Sequence, residues 1–285
     1  MNDDTKFPKR QQSTIHGGKA SDPSVQEARA SAADQAAAAE EEAVGAAAAA
    51  GGMSHRLLIT AEVAVSKIFP AGFGWQLSSI YADETLGLAA DSAGFALVTG
   101  LGDGTGVLLG HSTYYGIKKL AVDSSINMGE QIQTGIMLGT AAFHAGTAWQ
   151  PIVNFLHEQA GCTFNQTFAG TMAGCGFMFY VGLRVARVLY SGFMPAVEPG
   201  NYGNVKADAA LSLSIGGATA CFVGTDCSFL VNGVEQNWLR GVVGIEDGTA
   251  NLVGCGIAGF STAMGFTSTQ MVQNVVYPAG KNWVD

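Results

Sequence analysis

The sequence predicts an α+β fold in which one strand-rich unit occurs twice in tandem. Two observations predict it: a block of residues that recurs along the chain, and short segments in which apolar and polar side chains alternate. Each copy is expected to begin with several short strands and to end in a helix, which is the composition of an α+β unit. A pseudo-twofold axis would then relate the two copies.

The repeated block occupies residues 53–158 and 182–285, and a connecting segment, 159–181, joins the two copies. Pro-Ala and Ala-Asp dipeptides of the first copy recur 125 residues later in the second copy. Toward the end of the block this offset shortens to 120 residues. Such shortening is what differences in loop length produce. The pairs singled out are Pro70 with Pro195, Asp83 with Asp208, Gly139 with Gly259, Gln150 with Gln270, and Asn154 with Asn274.

Strands are predicted where apolar residues recur with a period of two. Residues 59–65 in the first copy and 211–215 in the second alternate in this way. Gly102-Asp103-Gly104 lies between two apolar runs, as Asn232-Gly233 does in the second copy. Asp-Gly and Asn-Gly between apolar runs are typical of hairpin turns.

One helix is predicted at the end of each copy. From Glu130 to Leu156 the apolar residues recur at intervals of three and four, which is typical of an amphipathic helix. The same period returns from Phe260 to Val275.

Residues 1–52 differ in composition from the rest of the chain, being polar at first and then rich in Ala and Glu. Such a segment buries too little apolar surface to offset the entropy lost on ordering, so we expect a disordered tail. It contains no apolar stretch like that of a secretory signal peptide, and we expect the protein not to be secreted.

The charge of the chain excludes some partners. Charged residues make up 13% of the sequence, about half the usual share, and the net charge is −9. An acidic chain is not suited to neutralise phosphates, so nucleic acid is not an expected partner. A surface poor in charge is typical of a protein covered by lipid or by other protein copies.

No catalytic, metal-binding or cofactor-binding set of residues is duplicated, so the sequence predicts a protein that is not an enzyme and has no cofactor. The five cysteines form no Cys-x-x-Cys pair. Asp83 and Asp208 are the acidic pair that the duplication preserves. They could act as twin ligands or bases, but the favoured interpretation is an aspartate in a turn or cap before a strand.

These observations favour a structural protein that assembles with itself into a sheet or shell. Two similar halves offer similar edges at both ends, and a heterologous contact that does not close propagates. Through paired segments such as Phe69-Pro70-Ala71 and Met194-Pro195-Ala196, the chain resembles the pyrenoid shell proteins (PyShell) of diatoms and related algae.

The resemblance implies a homopolymeric sheet around the Rubisco condensate, as part of a CO2-concentrating mechanism. It implies a location in the chloroplast stroma at the periphery of the pyrenoid. The expected partners are then other copies of the chain, the Rubisco condensate, or other shell proteins.

The alternative is a polytopic membrane channel or carrier with two repeats of three helices. Residues 131–157, 159–183 and 248–280 contain no Asp, Glu, Lys or Arg, and each stretch exceeds the ~20 residues that span a bilayer. The predicted Asp-Gly and Asn-Gly hairpins count against it, because lipid-exposed turns do not occur in the hydrocarbon region.

Overall fold

The computed structural model describes residues 55–194, 205–225 and 247–273, and these residues form six helices. Residues 1–52, expected to be a tail, lie outside the described ranges. The helices are α1 (His55–Thr85), α2 (Ala93–Ala121), α3 (Met128–Asn154, continued by the π-helical turn Phe155–Gln159), α4 (Phe164–Tyr190), α5 (Val205–Thr225) and α6 (Asp247–Met271).

The predicted α+β fold is wrong, because the described residues contain no strand. Residues 59–65 lie within α1, residues 211–215 lie within α5, and Gly102-Asp103-Gly104 lies in the middle of α2. An alternation over five to seven residues is too short to outweigh tertiary packing, which decides the structure of such segments. The expected hairpin at Asn232-Gly233 falls outside the described residues.

The helical segments begin and end at recognisable signals. The Ser92 hydroxyl accepts a hydrogen bond from the Phe95 amide at the start of α2, and the Asn127 side chain accepts one from the Gly129 amide before α3. Thr163 and Gln166 form a capping box at the start of α4. Gly87 follows α1 with a φ of 60°, a left-handed conformation that glycine adopts without strain.

Each helix packs against the helices before and after it in the chain, and α6 packs against α1, so the six helices form a closed ring. Neighbours are antiparallel. Along the α1–α2 interface, Gly74 lies opposite Gly102 and Pro70 lies opposite Gly106, so the numbers rise on one helix as they fall on the other. At the closing α6–α1 interface, the Thr262 hydroxyl lies 3.3 Å from the Ile68 carbonyl oxygen.

The ring has two halves that run in opposite directions. Because neighbouring helices alternate in direction and each half contains three of them, α1, α3 and α5 are parallel, and α2, α4 and α6 run the other way. The first half, α1–α3, is therefore inverted relative to the second half, α4–α6. Gly139 and Gly259 lie in the third helix of each half, whereas Asp83 ends α1 and Asp208 lies near the start of α5.

Glycines allow the helices of the ring to approach one another closely. One close contact between α2 and α3 joins Gly104 and Gly139, where a Cβ on Gly104 would lie 2.6 Å from the Gly139 carbonyl oxygen. Small residues at helix interfaces permit such packing and compensate for the weak helix propensity of glycine. The glycines of α2, which indicated a turn in the sequence, are thus interface residues of a helix.

The outer surface of the ring carries many large apolar side chains. Leu101, Leu109, Phe177 and Phe260 are each exposed by 59–63% of their surface. An outer groove between α1 and α2 is also lined by Phe73, Leu77 and Leu101. Three of the described helices, α1, α2 and α4, are long and apolar enough to cross a membrane.

Candidate functional site

A cavity of about 150 Å³ lies inside the ring and is lined by residues from all six helices. Most of its nineteen lining residues are apolar, and two are charged: Lys67 on α1 and Asp103 on α2. By comparison, an engineered cavity of similar size in another protein holds a benzene molecule. The cavity therefore has room for one small solute.

Asp103 is the acidic residue of the cavity. Its side chain packs against Gly146 of α3 so closely that a Cβ on Gly146 would lie 2.7 Å from the Asp103 Oδ2 atom. Among the described residues, the Asp103 carboxylate has no recorded hydrogen bond or ion pair. A carboxylate in an apolar cavity is costly unless another group compensates its charge.

Lys67 is the basic residue of the cavity and lies in a π-helical turn, Ala64–Ile68, of α1. π-Helical turns are frequent at functional sites. The charges of Glu62 and Lys118 act on the Lys67 ammonium, but no hydrogen bond or ion pair to it is recorded within the described part of the chain.

Three aromatic side chains close one end of the cavity. The ring centroids are 4.6 Å apart for Trp75 and Trp149, 5.0 Å for Trp75 and Phe222, and 5.1 Å for Trp149 and Phe222. The three rings come from the parallel helices α1, α3 and α5, and each is the last lining residue of its helix. We call this set the aromatic floor.

Hydrogen bonds fix the two indoles of the aromatic floor. The Trp75 Nε1 atom donates to the Gly146 carbonyl oxygen at 3.2 Å, and the Trp149 Nε1 atom donates to the Thr219 carbonyl oxygen at 3.4 Å. Gly146 therefore contacts both Trp75 and Asp103, which brings the carboxylate to the level of the aromatic floor.

Two ionic clusters lie toward the opposite end of the ring, near the starts of α1 and α5. The Glu62 carboxylate accepts hydrogen bonds from Tyr115 at 2.7 Å and from Lys118 at 3.0 Å.

In the second cluster, the Asp208 carboxylate pairs with Arg184 at 3.3 Å and with Arg187 at 2.9 Å. The Glu62 cluster joins α1 to α2, and the Asp208 cluster joins α4 to α5.

The paired positions predicted from the duplication are not brought together, and those among the described residues lie outside the cavity lining. Pro195 and Asn274 fall outside the described ranges. The others contact neighbouring helices or their own helix: Pro70 lies against Gly106 and Gly110, Gly139 against Gly104, Gly259 against Phe69, Gln150 donates to Asn154, and Gln270 donates to Ser214.

The two aspartates of the predicted pair have different surroundings. Asp83 is exposed in the last turn of α1, whereas Asp208 is 4% exposed and ion-paired. The expected strand after each of them is absent from the described residues, because helix α1 contains Asp83 and helix α5 contains Asp208. The two aspartates therefore do not share a site.

Lys67, Asp103 and the aromatic floor were missed by the sequence reasoning. The available signal was an isolated charge within a long apolar stretch, which is a functional hypothesis by default when the stretch is a membrane helix. The turn assigned to Gly102-Asp103-Gly104 concealed that signal. Within the described ranges, no group of three or more His, Cys, Asp or Glu side chains is placed to hold a metal ion.

Comparison of the chain with protein-family models, with characterised protein sequences and with solved structures finds no match.

Proposed function

We propose that the chain is an integral membrane protein that carries a small solute across a bilayer through its ring of helices. The observation that carries the proposal is the distribution of polarity. Two charged side chains, Lys67 and Asp103, lie at the interior cavity, whereas large apolar side chains are exposed on the outside of the ring.

The apolar exterior and the two charged side chains at the cavity are both unusual for a water-soluble protein. In water, large exposed apolar patches are rare, and an apolar exterior of this kind marks a protein or membrane interface. In a bilayer, charged residues within the helices face the interior of the bundle or a cavity. Helices of 21 to 31 residues reach the ~20 residues that cross the hydrocarbon core.

The inverted halves favour transport over a purely structural role in the membrane. Many transporters consist of two inverted repeats whose substrate site lies near the bilayer midplane between them. Here the cavity lies between α1–α3 and α4–α6, and the aromatic floor blocks its path to one end of the ring. Such a ring would pass a solute by separating the floor residues.

Self-assembly into a shell remains the second candidate, because other copies of the chain could also cover the apolar exterior. The two similar strand-rich halves on which the polymerisation argument rested do not occur in the described residues, which are helical. A pyrenoid location, a Rubisco condensate as partner, and a chloroplast location stay predictions from the resemblance.

The membrane carrier and the shell differ in whether the loops at the two ends of the ring are accessible from the same side. In a background with the native cysteines replaced by alanine, Ala89→Cys and Ser124→Cys place exposed thiols at opposite ends of the ring. In sealed vesicles, a membrane-impermeant maleimide should label one thiol from outside and the other only after permeabilisation. Ala160→Cys is the matched control and should behave like Ala89→Cys.

Equal labelling of all three thiols in sealed vesicles, with sedimentation of the protein in the absence of detergent, would contradict the membrane proposal and favour the shell.

A further inference from the structure

The cavity contains one positive and one negative side chain, and these two charges are separated along the ring axis. Asp103 lies at the level of residues between Pro70 and Gly74 on α1, because Gly102 and Gly106 lie opposite them. Lys67 is about six residues, or ~9 Å, from that level toward the start of α1. Among the described residues, no ion pair joins Lys67 to Asp103.

The ionised form of either residue therefore requires compensation from outside the described protein, because an unpaired buried group otherwise becomes neutral. A charge in a medium of low polarity is stable only when it is paired and hydrogen-bonded. A ligand with one charge would compensate one of the two residues and leave the other. A small ligand that carries both signs would compensate Asp103 with its cation and Lys67 with its anion.

The surroundings of Asp103 fit an organic ammonium group. Trp75, Trp149 and Phe222 present aromatic rings at the same end of the cavity, and aromatic faces attract ammonium groups. Methyl or methylene groups next to the nitrogen would contact the apolar wall. At the other end, the flexible side chain of Lys67 lets its ammonium group contact a ligand carboxylate at different distances from the ligand's own ammonium group.

The cavity does not fit a hydrated metal ion. Hard cations take six or more oxygen ligands, or keep their water. The hydroxyls of Thr219 and Thr262 line the cavity, but each donates to a carbonyl of its own helix, at 2.8 Å from Gly216 and 2.8 Å from Gly259, respectively. Asp103 is then the one strong oxygen ligand in the described lining.

We propose that this cavity binds a small zwitterion, an amino acid or an N-methylated amino acid, with its ammonium group on Asp103 and its carboxylate on Lys67. The inference deepens the proposed function and rests on it for the role of the ligand in transport. Binding itself is measured on the purified protein, so its outcome is separate from that of the vesicle-labelling experiment.

The experiment uses three probes that differ in charge but hardly in shape. Glycine betaine carries both charges, choline carries the cation alone, and 3,3-dimethylbutyrate carries the carboxylate alone on the same carbon skeleton. Titration in detergent is followed by calorimetry and by the fluorescence of the four tryptophans, of which Trp75 and Trp149 line the cavity. We expect glycine betaine to bind at least tenfold more tightly than either of the other two.

Two cavity variants test which residue binds each end of the ligand. Asp103→Asn should weaken glycine betaine and choline at least tenfold. Lys67→Gln should weaken glycine betaine by a similar factor and leave choline unchanged or stronger. Asp83→Asn, which changes an exposed carboxylate outside the cavity, is the matched control and should bind like the unchanged protein. Thermal unfolding without ligand verifies that each variant is folded.

Choline bound as tightly as glycine betaine would overturn the zwitterion proposal, and so would full binding by either cavity variant. Absence of binding by all three probes to the folded protein would overturn it as well. If the thiols are nevertheless labelled from opposite sides, the membrane proposal stands without the ligand.

Discussion

Asp103 and Asp208 are the same residue type in two helices of one ring, yet their surroundings differ in every respect that sets the energy of a carboxylate. The Asp208 side chain is 5% exposed and is held by Arg184 and Arg187, which join α4 to α5. Asp103 lines an apolar cavity and has no recorded partner in the described part of the chain. The first arrangement stabilises the ring, whereas the second leaves a carboxylate available to a ligand.

The comparison predicts the largest effect for Asp208→Asn. Removing one member of a buried ion pair leaves the opposite charge uncompensated, which typically costs 3–5 kcal/mol. We expect the free energy of unfolding to fall by about 3 kcal/mol, because Arg184 and Arg187 are partly exposed. Denaturant unfolding in detergent measures it. A loss below about 0.5 kcal/mol would mean that this pair is not a structural link.

The interface between α2 and α3 predicts the next effect. Gly104→Ala places a methyl group 2.6 Å from the Gly139 carbonyl oxygen, so the two helices must separate. Overpacking of this kind costs about 1–3 kcal/mol. Gly116→Ala on the same helix is the matched control. The atom nearest to its Cβ would be Met128 Cε at 3.9 Å, and alanine favours the helix.

Thermal unfolding of both glycine variants gives the measurement. Equal melting temperatures for the two would contradict the close approach of α2 and α3.

The same substitution that destabilises at Asp208 should do the reverse at Asp103. Asp103→Asn removes a charge that the described protein does not compensate, and replacing such a charge is neutral or stabilising. We expect the free energy of unfolding without ligand to rise by about 1 kcal/mol. A loss of stability similar to that of Asp208→Asn would show that Asp103 has a structural partner and would end the contrast.

Glu62 predicts the smallest effect. Its side chain is 21% exposed and that of Lys118 is 32% exposed, so solvent screens their attraction. Glu62→Gln should cost less than about 1 kcal/mol, since pairs of this exposure contribute little. The difference from the unchanged protein should shrink further at about 1 M salt, where the screening length is short. A larger loss of unfolding free energy that does not depend on salt would show that Glu62, like Asp208, stabilises the ring.

The sequence predicted part of this molecule and missed the part that depends on contacts between helices. The period of three and four after Glu130 is confirmed by α3, and the second such period overlaps α6. The long uncharged stretches that indicated the membrane alternative overlap α3, α4 and α6, and of these three α4 is among the helices apolar enough to span a bilayer. These are local properties, which a single chain displays directly.

The hairpin at Gly102-Asp103-Gly104 was predicted wrongly because glycine is typical both of turns and of close helix contacts. In Gly102-Asp103-Gly104 it indicated a turn, since isolated helices are weakened by glycine. In the ring, a neighbouring helix occupies the space that a Cβ would take, and the helix is stabilised by that packing. The cavity was missed for the same reason: Lys67 and Asp103 share a wall only after α1 and α2 have packed.

The aromatic floor also determines how a path through the ring would open. Its three rings come from helices that share one direction, so a small rotation of these helices would part all three contacts together. Each edge-on aromatic contact contributes about 1 kcal/mol beyond the apolar area that it buries, so parting all three costs at least about 3 kcal/mol, and the two indole hydrogen bonds add to that cost. The open state is then populated at no more than on the order of 1% at room temperature. The floor is therefore parted in only a small minority of molecules, and a solute carried as we propose would pass only through that minor state.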